Sequence, residues 1–298
     1  MPGQSRSTRP APAVLRVSSE NSLFQHLEVL LRNRAKRHRA GEFVVEGVQA
    51  INLARAKRWT FNALVYAAGR PLSGWGQEVL AGAPGAARVE MAPHLLARLS
   101  ERDETSELLA VLATPPDDPA RIVLHDPALA LVFDRPVSPG NLGQIVRSAD
   151  ALGADGLLVT GHGADLYDPQ AVRASRGSLF ALPAVRLASP RDVAAWLAGA
   201  ARAAGGRLQL VGGSGAAATA LDEVDLRRPT LLVLGNETHG LSRAYRDLCD
   251  VLVRIPMSGA ADSLNVASAA SIMLYEAGRQ RRSGAAAPEA PPGPPGGP

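Results

Sequence analysis

The sequence predicts an α/β protein in two parts: a small N-terminal α/β unit, then a larger unit on a mostly parallel sheet. Three observations predict this. Short apolar runs alternate with segments of helical periodicity along most of the chain, the pattern of strands joined by crossover helices. The stretch ATPPDDPA at 113–120 interrupts that alternation with three prolines and two acids and reads as a linker. Near the C-terminus, two apolar runs break into glycine, asparagine, serine and proline where a strand should hand over to a helix. They are 231–242 (LLVLGNETHGLS) and 253–276 (VRIPMSGAADSLNVASAASIMLYE).

Residues 1–13 lack periodicity and are expected to be a disordered tail. Leu23, Leu27, Leu30 and Leu31 have helical spacing and predict a helix over 23–31. The basic run RNRAKRHR at 32–39 follows, then a strand over 42–48 and a helix over 49–57. Strands at 64–67 and 89–91, a short helix at 94–99 and a strand at 108–112 complete a first unit spanning 14–112. Beyond the 113–120 linker, the second unit (121–282) carries strands at 130–133, 156–160, 184–187, 208–212, 230–234 and 251–255. Helical patterns lie at 141–152, 169–179, 190–204, 242–247 and 263–280. The strands are near-continuous apolar runs, as expected of a sheet covered on both faces. Residues 283–298 (SGAAAPEAPPGPPGGP) are of low complexity and are expected to be a second disordered tail.

Composition narrows the function classes. A chain of 298 residues with 46% hydrophobic and 20% charged content has the makings of a globular core. No apolar run approaches the roughly 18 residues of a membrane-spanning helix. The N-terminal MPGQSRSTRPAPAV lacks the apolar centre of a secretory signal. Cys249 is alone, which excludes an intramolecular disulfide, and a cytoplasmic location is expected. The histidines at 26, 38, 94, 125, 162 and 239 form no pair at metal-ligand spacing, so no metal is predicted. Net charge is only +4, but residues 1–58 hold eleven basic residues against four acids, a local +7. That asymmetry is the footprint of a nucleic-acid contact; a solvated basic helix face is the other reading of the same charges.

Ligands in open α/β sheets bind beyond the carboxyl ends of strands. Gly235, Gly240 and Gly259 would let the two C-terminal turns approach a ligand closely. Ser263 and Asn265 stand where an N-cap is expected, ahead of a helical apolar pattern. A third stretch, 131–160, has the same strand–turn–helix grammar. In its helix Leu142, Ile145, Val146 and Ala149 form the buried stripe, leaving Asn141, Gln144, Arg147 and Asp150 on an outward ridge. Arg147 either points into a site or pairs with Asp150. Cys249 lies between Leu248 and Asp250, close to Asp247, and reads as a structural thiol rather than a nucleophile. His239 reads as a turn residue.

NLGQIVRSADALGADG, GNETHGLS and IPMSGAADSLNVASAASIMLYE, in that order, resemble the three motifs of the SpoU/TrmH family. These are RNA ribose 2′-O-methyltransferases of the knotted SPOUT superfamily that use S-adenosylmethionine, and the resemblance spans residues 30–280. It implies an L30e-like RNA-binding domain at 14–112 and a SPOUT methyltransferase domain at 121–282. Knots are otherwise very rare; the resemblance alone implies a deep trefoil knot formed after Thr230. It further implies that Leu234, Gly235, Asn236, Glu237, Gly240, Ile255, Met257, Ser263, Leu264 and Asn265 hold S-adenosylmethionine. Asn141 and Arg147 serve the acceptor, with Glu237, Ser263 and Asn265 completing the catalytic set. A guanidinium stays protonated, so Arg147 would clamp a phosphate or polarise the 2′-oxygen, while Glu237 would accept the proton or simply hold its turn. Arg173, Ser175 and Gly177 match a further recurrent stretch of the family.

Arg32, Arg34, Lys36, Arg37 and Arg39 are the implied RNA contacts. Many relatives carry Pro-Gln-Gly before the last strand of the L30e-like unit; here the stretch is Thr105-Ser106-Glu107-Leu108, which puts the RNA target of that loop in question. A homodimer is implied, and the last helix, apolar on more than one side through Leu264, Ile272, Met273 and Leu274, offers the surface. The two-domain arrangement favours 23S rRNA, with drug self-resistance as a possible consequence. A tRNA substrate, and a non-catalytic RNA-binding or ribosome-assembly role, are the alternatives. A small-nucleotide enzyme is opposed by the basic N-terminal segment.

Overall fold

The computed structural model describes residues 14–100, 105–203 and 206–284. The chain forms two compact units: Met1–Arg121 with Pro136–Arg147 and His162–Arg186, and Ile122–Arg135 with Ser148–Gly161 and Leu187–Pro298. Of the tails expected at 1–13 and 283–298, residues 1–13 and 285–298 lie outside the described residues; Ser283 and Gly284 instead belong to the last helix.

The N-terminal part of the first unit runs β1 (Val14–Val17), α1 (Ser22–Arg32), α2 (Arg34–Ala40), β2 (Glu42–Glu46), α3 (Val48–Ala56) and β3 (Phe61–Ala67). It continues with α4 (Gly74–Gly82), β4 (Ala87–Met91), α5 (Pro93–Leu99) and β5 (Leu108–Ala113). The sheet order is β1-β4-β3-β5-β2, with β5 antiparallel to β2 and β3 and the other pairs parallel. Asn21 caps α1 by accepting from the Phe24 N–H, and the helix buries Phe24, Leu27 and Leu30 against the sheet. These are i, i+3, i+6 positions, the stripe an amphipathic helix turns inward.

Three elements have weak sequence signals. β1 is a four-residue edge strand. The α4 segment carries glycine at 74, 76 and 82, which lowers helix propensity; Ser73 starts it by accepting from the Gly76 N–H. The basic run has no apolar periodicity, yet it forms α2 because Asn33 caps its start and Gly41, at φ 64°, ends it.

The buried anchor of α2 is Arg37, 2% exposed. Its Nε donates to Asp165 at 2.9 Å and its Nη2 to Asp168 at 3.0 Å, while Nη1 donates to the carbonyls of Leu30 and Leu31. Arg37, expected to contact RNA, is therefore an internal ion-pair residue. A charge this buried persists only when paired and hydrogen-bonded. Arg34 donates to the Gly163 carbonyl and is half-buried. Arg32, Lys36 and Arg39 remain exposed.

The rest of the chain runs β6 (Leu129–Asp134), α6 (Pro139–Ala151), β7 (Gly156–Thr160), α7 (Pro169–Ala174), β8 (Ala184–Leu187) and α8 (Pro190–Ala203). Then come β9 (Gln209–Gly213), β10 (Thr219–Ala220), β11 (Thr230–Leu234), α9 (Arg243–Leu248), β12 (Val251–Arg254) and α10 (Val266–Gly284). The seven-stranded sheet has the order β10-β12-β9-β11-β6-β7-β8, parallel at every pairing from β10 to β7. Every residue of β6, β7 and β11 is buried, the two-sided burial that their unbroken apolar runs predict. The helix expected over 169–179 stops at Ala174, because Arg176 and Gly177 both adopt positive φ; Ser178–Phe180 is a separate 3-10 turn. The last helix begins at Val266 rather than 263, leaving Ser263 and Leu264 in the preceding loop.

Candidate active site

β9 lies between β11 and β12. The turns leaving these three parallel strands therefore emerge side by side at their carboxyl ends, where open α/β sheets bind ligands. Together with the start of α10 they enclose a cavity of about 800 Å³, part of it open to solvent.

The β11 turn is built by its own polar atoms. Asn236 and Gly240 exchange backbone hydrogen bonds of 3.0 and 2.9 Å. The Asn236 Oδ1 accepts from the N–H groups of Thr238 (2.9 Å) and His239 (3.0 Å), and its Nδ2 donates to the Arg135 carbonyl at 2.6 Å. Asn236 thus holds two loops in place with both ends of its amide. A Cβ on Gly235 would sit 2.3 Å from the Gly240 carbonyl carbon and the Leu241 nitrogen, so only glycine allows the turn to close. Gly240 has φ 64°. His239 is exposed on the turn, as its neighbours imply.

The Arg135 carbonyl is placed by the β6 turn. Arg135 has φ 51°, and its guanidinium bonds the 1%-exposed Asp134 at 3.1 and 3.2 Å. Asp134 also accepts from the Ser242 N–H at 3.1 Å, tying the β6 end to the start of α9. Behind it the Tyr245 hydroxyl donates to Thr160 at 3.0 Å. Burial raises the Tyr245 pKa, so it is a neutral structural donor.

From β12 the chain leaves through Ile255 and Met257, and Asn265 caps α10. Its Oδ1 accepts from the Ala267 N–H at 2.8 Å and its carbonyl from the Ala269 N–H at 2.9 Å. Leu234, Gly235, Asn236, Glu237, Gly240, Ile255, Met257, Ser263 and Leu264 all line the cavity; Val266 does so in place of Asn265. Gly213, Ser214 and Gly215, from the end of β9 and the turn after it, also line it and were not among the expected residues. Their signal in the sequence is the run Gly212-Gly213-Ser214-Gly215 directly after an apolar strand.

Asn141 and Arg147 lie on α6. Leu142, Ile145, Val146 and Ala149 are buried, and Arg147 is exposed. Among the described residues the Arg147 side chain has no hydrogen-bond or ion-pair partner, so the pairing with Asp150 is not formed. The next residue, Ser148, shares a 2.8 Å hydrogen bond with Ser271 of α10. A Cβ on Gly143 would fall 2.3 Å from the Ala171 carbonyl oxygen, so this helix passes α7 closely. Arg173 is exposed, while Ser175 and Gly177 are buried. Burial, and then Asp250, push the Cys249 thiol up to about 12. That suits a structural thiol. Among the described residues no group of three or more His, Cys, Asp or Glu could hold a metal ion, and no helix is long and apolar enough to cross a membrane.

The pattern of the SpoU rRNA Methylase family matches residues 128–275, and that of the SpoU L30e-like domain matches residues 21–110. The chain is 51% identical over 282 residues to the 23S rRNA (uridine(2479)-2'-O)-methyltransferase of Streptomyces viridochromogenes, covering 94% of this chain and 97% of that one. The structure of the SpoU methyltransferase AviRb from Streptomyces viridochromogenes, in complex with the cofactor AdoMet, superposes with a TM-score of 0.82. It is 50% identical and covers 89% of this chain and 100% of its own. An AdoMet-bound rRNA methyltransferase from Sinorhizobium meliloti gives a TM-score of 0.79 at 31% identity, covering 89% and 98%.

Proposed function

Since the chain belongs to the SpoU rRNA methylase family, with the family's L30e-like domain ahead of the methylase domain, we propose that it methylates a ribose 2′-hydroxyl of 23S rRNA. It is an S-adenosylmethionine-dependent RNA 2′-O-methyltransferase. One observation carries the reading. The cavity at the ends of β9, β11 and β12, walled by backbone at a position where only glycine fits, occurs in a chain that matches an rRNA methyltransferase over nearly its whole length.

The cavity's chemistry fits S-adenosylmethionine. Backbone groups of 234–240 and the 213–215 turn suit the adenine and ribose edges, and Ile255, Met257 and Leu264 supply apolar surface. When bound, S-adenosylmethionine supplies an electrophilic methyl on a sulfonium centre. The protein's own work is to orient the acceptor and take its proton. Holding reactants in line supplies several kcal/mol of a barrier, and a positioned base adds about 10²–10⁴-fold. Arg147, permanently charged and exposed, clamps a phosphate or polarises the 2′-oxygen; Asn141 stands on the same helix. Glu237, on the cavity wall, accepts the proton or holds the turn. Ser263 lies on the wall and Asn265 fixes the adjacent helix start.

The RNA surface in this reading is the exposed set Arg32, Lys36 and Arg39. The domains of this reading are 14–112 and 121–282, a division by sequence; the compact units of the structure instead group Pro136–Arg147 and His162–Arg186 with the N-terminal part. The chain is knotted after Thr230 in this reading. A homodimer is part of the proposal, because Ile272 (38% exposed) and Tyr275 (55%) leave apolar surface on α10 and C2 pairing is the commonest way to cover such a face. The site of action is the cytoplasm, and protection of the ribosome from a large-subunit drug would follow from the modification. Incubating the protein with 23S rRNA, tRNA and labelled S-adenosylmethionine, then mapping ribose methylation, tests the function. Label at one 23S position is expected; label in tRNA alone would overturn the substrate, and none in any RNA would overturn the activity.

A further inference from the structure

The first unit holds a second cavity, of about 650 Å³ including solvent at its mouth, that shares no residue with the one described above. Part of its lining is apolar: Val44 of β2, Leu99 of α5 and Val172 of α7 are buried. Half-buried Glu46 sits beside them, accepting a hydrogen bond from the Ser100 hydroxyl. The rim is exposed and polar, with Gln49, Arg173 and Arg176.

Arg176 is the telling residue. It occupies the position after the C-cap of α7 with φ 53°, where glycine or asparagine is favoured. Among the described residues the non-glycine residues with positive φ are Arg58, Arg135 and Arg176. Arg135 uses its guanidinium within the protein, on Asp134. The Arg176 side chain makes no hydrogen bond or ion pair among the described residues; it lines the cavity and is exposed. Arg58 shares the backbone state; what sets Arg176 apart is that its unengaged guanidinium stands at this cavity, where it can serve a ligand outside the chain.

Apolar lining, a half-buried carboxylate and the exposed Arg176 guanidinium match the parts of one nucleotide: a flat base with an N–H edge, and a flanking phosphate. We propose that this cavity seats an unpaired base of the RNA substrate. Glu46 accepts from a base N–H, Val44, Leu99 and Val172 contact its faces, and Arg176 bonds the adjacent phosphate. Single-stranded segments are the parts of RNA whose bases can be splayed into such pockets. The inference rests on the rRNA substrate proposed above.

The test is filter binding of in vitro transcribed 23S rRNA across a salt series, with thermal melting of each variant. Arg176→Gly removes the guanidinium and relieves the backbone, so the melting temperature should hold or rise. The log–log salt slope should fall by about 0.7–0.9. Glu46→Gln should weaken RNA binding about tenfold, as for loss of a charge-assisted hydrogen bond. Ser100→Ala keeps the carboxylate and should bind RNA normally. An unchanged slope in Arg176→Gly overturns the phosphate contact. Unchanged affinity in Glu46→Gln, or an equal loss in Ser100→Ala, overturns the base pocket. Methylation by the unaltered protein is scored separately: its absence sinks the enzymatic reading, whereas methylation with unaffected variants sinks only the pocket.

Discussion

The side-chain amide of Asn236 donates to the backbone carbonyl of Arg135 at 2.6 Å, joining two strand ends 101 residues apart in sequence. With its oxygen engaged by Thr238 and His239, Asn236 shapes the cavity rather than presenting a free side chain to it. Asn236→Ala removes three hydrogen bonds, to the Arg135 carbonyl and the Thr238 and His239 N–H groups, and should cost ~1–3 kcal/mol of stability. S-adenosylmethionine affinity, read by calorimetry, should fall with it. Asn236→Ala with wild-type melting and affinity would show that the turn holds without the amide.

Gly235→Ala should be more damaging to binding than its size suggests. The added methyl meets backbone atoms at 2.3 Å, and backbone cannot swing aside as a flexible side chain can. The β11 turn must open, so cofactor binding should be lost while RNA binding by the first unit persists. Wild-type cofactor affinity in this variant would contradict the close-packed turn.

Arg147→Ala should abolish ribose methylation and leave both the melting temperature and S-adenosylmethionine binding unchanged. The side chain is exposed and, among the described residues, has no partner to lose. Turnover near normal would remove Arg147 from the acceptor machinery.

The basic helix divides into two kinds of arginine, and melting combined with salt titration separates them. Arg37→Ala uncovers the buried carboxylate of Asp165 and should cost ~3–5 kcal/mol. Neutralising Arg32, Lys36 and Arg39 together should leave stability within about 0.5 kcal/mol. It should lower the salt slope of RNA binding by about 2–3. The reverse pattern would reverse the assignment.

Cys249→Ser should retain methylation, and the native thiol should resist alkylation at pH 8. Burial and Asp250 raise the folded-state thiol from 9.0 to about 12. The folded chain therefore holds its proton while the unfolded thiol loses one. The resulting stability is complete below pH 9 and is lost as pH rises through about 12. Rapid alkylation of the folded protein at pH 8 would show an activated thiol instead.

The sequence by itself determined the alternation of elements, the buried runs of β6, β7 and β11, and most of the cavity wall. Those depend on local periodicity and on turn residues whose backbone demands, as at Gly235 and Gly240, do not wait for a distant partner. The Leu142–Ala149 stripe likewise announced which side of α6 would be buried. Tertiary structure alone decided the rest. Arg37 reads as one more cation in RNRAKRHR, and only the arrival of Asp165 and Asp168, about 130 residues later in the chain, makes it a buried anchor. The Gly213–Gly215 turn joined the cavity because β9 inserts between β11 and β12. Strand order is set by which strands bury one another's faces and edges, a relation that no window of neighbouring residues contains.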